Sequence, residues 1–153
     1  MPSSSQTETI HAGCVEIDGR AVLIFGASGS GKSDLALRLI DRGAKLVSDD
    51  YTLLRREADR LIASAPAAIT GKIEVRGVGI MEWQSIPESP VALCIMLGQD
   101  VERMPPDPLP SHLILGAAVP SLPLDALQSS APIKVELAAR VLVDAWRHTI
   151  QGS

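Results

Sequence analysis

Apolar and polar positions alternate over residues 14–17, and after Asp18-Gly19 the pattern becomes an unbroken apolar run over 21–25. An Asp-Gly pair between two such segments predicts a hairpin with a type I′ turn. The second strand is apolar on both faces, which predicts a place inside a sheet covered on both sides. Residues 33–42 carry Ala36, Leu39 and Ile40 at helical spacing, with Gly43 placed for left-handed geometry at the helix end. A brief strand over 45–48 runs into Asp49-Asp50, and 51–54 with 61–63 predict a second hairpin turned around Ala58-Asp59. Residues 65–79, punctuated by Pro66, Gly71, Gly77 and Gly79, predict a loop. A buried strand is predicted over 91–97 and another over 113–119. Between them, the prolines at 105, 106, 108 and 110 remove four backbone donors and forbid helix or ladder interior. At the end of the chain Val135, Ala138, Ala139, Leu142, Val143 and Trp146 form one helical stripe, with Glu136, Arg140, Asp144 and Arg147 on the opposite face. Trp146 is expected in the core. Interleaved strands and helices predict an α/β fold.

At 153 residues the chain fits one domain, expected over residues 10–150 behind a loose polar tail, residues 1–9. With two Trp, one Tyr and one Phe, the core must be aliphatic. The net charge of −4 comes without a basic block, which argues against nucleic acid as a partner. Cys14 and Cys94 have no CxxC spacing and read as two inert, reduced thiols. No signal-peptide pattern and no apolar run of membrane-crossing length is present, so a cytoplasmic location and no membrane partner are expected.

Gly26-Ala27-Ser28-Gly29-Ser30-Gly31-Lys32-Ser33 matches the Walker A pattern GxxxxGK[ST] at every position. Glycines let such a loop turn its backbone N–H groups toward phosphate oxygens, and the following helix adds the positive end of its dipole. Lys32 can reach the β and γ phosphates, and the Ser33 hydroxyl can ligate Mg2+. A Gly/Ser loop with an incidental lysine would show this pattern in on the order of one chain in a hundred. Here the loop also follows an apolar strand and opens an amphipathic helix, which is the context the chemistry requires.

Asp49-Asp50 closes the strand after that helix. A carboxylate there can hold Mg2+ or accept a proton from an attacking hydroxyl. Judged only by its residues, the 74–79 segment is an exposed salt-bridged turn, Arg103 is anonymous, and His11 is a surface histidine.

Taken together, the segments resemble the catalytic domain of HPr kinase/phosphorylase, which acts on a serine of the phosphocarrier protein HPr. The resemblance spans residues 10–115 and rests on an ordered series. His11-Ala12-Gly13, the P-loop and Arg42-Gly43 come first; Leu46-Val47-Ser48-Asp49-Asp50 and Glu74-Val75-Arg76-Gly77-Val78-Gly79-Ile80 follow. It implies a P-loop core with a mixed sheet, kin to phosphoenolpyruvate carboxykinase, with ATP and Mg2+ as cofactors and a homo-oligomer, a hexamer, as the assembly. It also implies that Lys32 contacts the transferred phosphate, that Ser33, Asp49 and Glu74 serve the metal, and that Asp50 is the base. His11 becomes an active-site histidine, Arg103 an arginine close to the reacting phosphate, and Arg76 with the glycines beside it part of the loop shared by both reactions. Where the family carries a basic Pro-Gly-Arg-Asn-type segment tied to dephosphorylation, this chain has the uncharged Leu127-Gln128-Ser129-Ser130. An anionic phosphoserine would lose its arginine contacts there, so the resemblance carries the kinase activity and leaves the phosphorylase activity open. Two alternatives remain at this stage: a P-loop small-molecule kinase, and a nucleotide-dependent regulatory module that transfers no phosphate.

Overall fold

The chain joins its sheet earlier than its polarity suggests. A computed structural model describes residues 6–151, and within them Thr7–Ile10 forms strand β1, paired antiparallel with Thr52–Glu57. The expected tail therefore gives way to a strand from residue 7 onward, and its residues 1–5 lie outside the described residues. Thr7, Glu8 and Thr9 leave their side chains in water and pair through backbone groups alone, so no apolar signal marks them.

After β1 come β2 (Ala12–Ile17), β3 (Arg20–Phe25), α1 (Lys32–Asp41), β4 (Lys45–Ser48), β5 (Thr52–Glu57) and β6 (Arg60–Ser64). A 3-10 turn, Ala67–Ile69, leads to β7 (Lys72–Val75) and β8 (Gly79–Glu82), then to the long strand β9 (Ser89–Leu97), β10 (Ser111–Ile114) and β11 (Ala117–Leu124). Helix α2 (Ala131–Leu137) passes through a π-helical turn, Ala138–Leu142, into α3 (Val143–Gln151). The first hairpin forms as its Asp-Gly pair predicts: Asp18 and Gly19 have φ of 51° and 79°, the two positive values of a type I′ turn. Helix α1 ends in a Schellman motif, with Ala44 N–H donating to Leu39 O and Gly43 N–H to Ile40 O, each at 3.0 Å, and Gly43 at φ 113°.

The main sheet runs β1-β5-β6-β9-β3-β2-β4, with β11 joining β9 and β10 joining β11. Strands β3, β9 and β11 are parallel, while β2 lies antiparallel between β3 and β4. Strand β4 thus points the same way as β3, and both end on one edge of the sheet. Because β2 is reversed, its beginning lies on that edge too.

Both faces of the central strands are covered. Val22, Ile24, Leu93 and Ile95 face Leu35 and Leu39 of α1 and Val135 of α2. Leu23 and Cys94 face the other way, against Leu54, Leu61 and Val119 of a sheet that curls over them. This two-sided burial is why residues 21–25 read as an unbroken apolar run. Trp146 is 7% exposed, a core residue.

Three expectations are corrected. Residues 65–79 contain half of a small two-stranded sheet, in which Lys72 faces Glu82 and Val75 faces Gly79. Its turn is closed by Val78 N–H donating to Val75 O at 2.9 Å, and Ile73 alone anchors it in the interior. Residues 113–119 are a hairpin turned at Leu115-Gly116 (φ 50° and 79°) rather than one strand. Glu136, expected on the solvent face of the last helix, is 7% exposed. It takes three hydrogen bonds of 2.8–3.1 Å from Arg42 at the end of α1.

Cys14 faces Leu23, and Leu23 faces Cys94 in the next strand, so the two Cα atoms stand two strand spacings apart, about 9.6 Å. That exceeds the roughly 7 Å limit for Cα atoms joined by a disulfide. Burial pushes the Cys94 thiol up to about 12. Cys14 is raised by burial first, then by Cys94 and Glu16. Both folded values lie above that of an unfolded thiol, near 8.5. Their stabilising contribution is therefore complete below that pH and declines as the pH rises beyond it. A thiol reagent at pH 8 is expected to label neither cysteine in the native chain and both after denaturation; rapid native labelling would contradict the burial.

Candidate active site

The P-loop leaves the end of β3 and enters α1. Gly29 and Gly31 have φ of 82° and 99°, which only glycine adopts without strain. At Gly26 there is no room for a side chain: a Cβ would collide with Ser30 Oγ and lie 3.0 Å from Leu97 Cβ. Gly26→Ala is therefore expected to distort the cradle and weaken nucleotide binding at least about tenfold. Fluorescent-nucleotide titration measures this, and unchanged affinity would mean that the loop yields more easily than its packing implies.

Lys32 is 6% exposed. Its ammonium donates to Gly26 O at 2.7 Å and Ala27 O at 3.3 Å, folding back over the cradle. Ser33 Oγ donates to Asp49 Oδ1 at 2.7 Å, and Asp49 Oδ2 accepts the Glu74 N–H at 2.9 Å. Asp49 thus ties the first turn of α1 to β7 and spends both oxygens doing so. Asp50 Oδ1 lies 2.9 Å from His11 Nε2 and 3.9 Å from Lys32 Nζ. Among the described residues Asp50 Oδ2 accepts no hydrogen bond. His11 belongs here because β2 is antiparallel: it precedes that strand, whose first residue Ala12 stands opposite Phe25, the last residue of β3.

Lys32, Ser33, Asp50 and Glu74, with Gly29 and Arg76, line a cavity of about 350 Å3. A phosphate chain fits the donors here. The glycine cradle is open at Gly29, and Lys32 rests on weak neutral carbonyls it can leave for a charged oxygen. Among the described residues no three His, Cys, Asp or Glu side chains gather as a metal cage. Mg2+ on a nucleotide needs only one or two protein oxygens, which Ser33 and Glu74 can supply.

The profile of the HPr Serine kinase C-terminal domain matches residues 3–88, the stretch that carries every group around this cavity. The chain belongs to this family. Outside that stretch the HPr kinase fold continues. The solved HPr(Ser) kinase/phosphatase of Coxiella burnetii shares 35% identity and superposes with a TM-score of 0.75, covering 95% of this chain and 99% of that one. The HPr kinase/phosphorylase of Bacillus licheniformis is 49% identical over 81 residues, 52% of this chain and 26% of that protein. That of Halalkalibacterium halodurans is 40% identical over 99 residues, 60% of this chain and 32% of the relative. The matched part spans about a quarter to a third of such relatives.

Of the residues singled out in the sequence, His11, Lys32, Ser33, Asp49, Asp50 and Glu74 come together. Arg103 does not. It lines a separate cavity of about 250 Å3 between the proline-rich segment and α2, with Leu124, Lys134 and Leu142 among its neighbours. Arg76, an exposed turn residue by sequence pattern but part of the active loop by the resemblance, lines the P-loop cavity. Tyr51 was missed: its ring stacks on His11 with centroids 4.9 Å apart. The one available signal was a lone tyrosine directly after two acids. Among the described residues no helix is long and apolar enough to cross a membrane.

Proposed function

We propose that this domain is a Mg2+- and ATP-dependent protein serine kinase acting on HPr or a related phosphocarrier. One observation carries the reading: Lys32 of the P-loop and Asp50 face each other across 3.9 Å at the mouth of one cavity. A phosphate held on the loop and a hydroxyl held at the acid would therefore meet.

In this reading the amides of residues 26–33 bind the β and γ phosphates. Ser33, oriented by Asp49, and Glu74 hold Mg2+, which when bound offsets phosphate charge. Asp49 serves the metal through Ser33, whose hydroxyl it orients. The serine Oγ of the acceptor attacks the γ phosphorus, its proton passes to Asp50 Oδ2, and the bond to the β-phosphate oxygen breaks to release ADP. Lys32 neutralises the charge that moves onto the bridging and peripheral oxygens. Arg76 is the guanidinium that lines this cavity and takes the role expected of Arg103. Leu127-Gln128-Ser129-Ser130 offers no cation to a phosphoserine, so the kinase direction is proposed without phosphorolysis. A cytoplasmic homo-hexamer is the assembly this likeness implies.

The deciding experiment incubates the chain with γ-labelled ATP, Mg2+ and the HPr homologue of the same cell, then maps the labelled residue. Label on one serine of the acceptor is expected. Label appearing in small metabolites, or none despite tight ATP binding, would overturn the reading.

A further inference from the structure

Asp50 is held in an uncommon backbone state. Its φ is 65°, and the Tyr51 N–H donates to the Asp49 carbonyl at 2.7 Å, so Asp50 is the centre of a γ-turn with left-handed φ. A non-glycine residue persists in that state only where its surroundings over-determine it. Two neighbours do so here. The buried Ser48 hydroxyl donates to the Tyr51 carbonyl and closes the turn from the inside. The Tyr51 ring stacks on His11 with the planes inclined by 26°, and His11 Nε2 meets Asp50 Oδ1 at 2.9 Å.

These contacts form a closed circuit. Tyr51 follows Asp50 in the chain and, through the imidazole, grips the carboxylate of the residue before it. The ring is not there to fill the core, since Tyr51 is 47% exposed. It is also absent from the cavity lining, so nucleotide contact does not explain it.

We infer that Tyr51 is a positioning residue: it fixes the imidazole plane of His11, which pins Asp50 Oδ1 and leaves Oδ2 aimed at the incoming hydroxyl. Ser48 is the second clamp on the same turn. The inference rests on the phosphotransfer reading for its kinetic consequence, while the clamp itself is visible without activity.

The test compares Tyr51→Ala, Tyr51→Phe and the unaltered chain. Tyr51→Ala is expected to lower kcat by roughly 2- to 10-fold, the range a lost aromatic pair implies, with KM for ATP unchanged. Tyr51→Phe, which keeps the ring, restores kcat to within about twofold of the unaltered chain. In proton NMR the carbon-bound ring protons of His11, assigned with a His11→Gln variant, move downfield in Tyr51→Ala because the stacked ring no longer shields them, and stay in place in Tyr51→Phe. His11 resonances unmoved by Tyr51→Ala, or a kcat equal to that of the unaltered chain, would overturn the inference. An unaltered chain that phosphorylates nothing counts against the functional reading instead, and the His11 resonances still decide whether the clamp exists.

Discussion

Lys32→Ala is expected to lower the rate of phosphoryl transfer by about two to three orders of magnitude, the loss typical of removing one preorganised charge stabiliser. The side chain is buried within hydrogen-bond reach of Gly26 and Ala27 carbonyls, so a single movement of its flexible stem carries it from loop to ligand. In the alanine variant the half-buried Gly26 carbonyl loses its ammonium donor, at a cost of at most about 1–3 kcal/mol, whereas the exposed Ala27 carbonyl keeps the Ser30 N–H at 3.0 Å. Lys32→Gln, which keeps a donor without the charge, separates the two effects: folding recovers and transfer does not. Single-turnover transfer from labelled ATP, read beside a thermal melt, measures both. A rate within about threefold of the unaltered chain would remove Lys32 from the chemistry.

Asp50→Asn is expected to reduce kcat by about 10²–10⁴, the contribution usual for a positioned general base. Asparagine tolerates positive φ, so the turn at φ 65° survives and the substitution tests proton transfer rather than local folding. ATP affinity should hold, because Asp50 makes none of the backbone contacts of the P-loop. Equal loss of affinity and kcat would instead point to Asp50 as an organiser of Lys32, from which it stands 3.9 Å.

Local signals made much of the fold readable. The glycine spacing of residues 26–31, the Asp-Gly turn, the two-sided apolar strands and the acids at the end of β4 each announce themselves within about ten residues. Signals that depend on distant partners were silent. Strand β1 has no apolar side of its own and exists because β5 offers an unpaired edge. Strands β7 and β8 are four residues each, with Ile73 the one deeply buried side chain between them, and the glycines around them mimic a loop. The Leu115-Gly116 turn hides behind an apolar leucine forced to φ 50°. Glu136 is buried by a partner 94 positions away in the chain. The site was legible in the same uneven way: motif positions were found, Arg76 among them through the resemblance, whereas Tyr51 depends on which way a turn faces.

Strand β9 reaches the sheet only after every group around the cavity has been laid down in the chain. Yet it is the strand on which β3, and hence the P-loop, leans from Ala21 to Phe25. A growing polypeptide that has just passed residue 88 therefore owns all its chemical groups and no rigid wall to mount them on. Competence for phosphate arrives late in synthesis, as a property of the second half of the chain acting on the first.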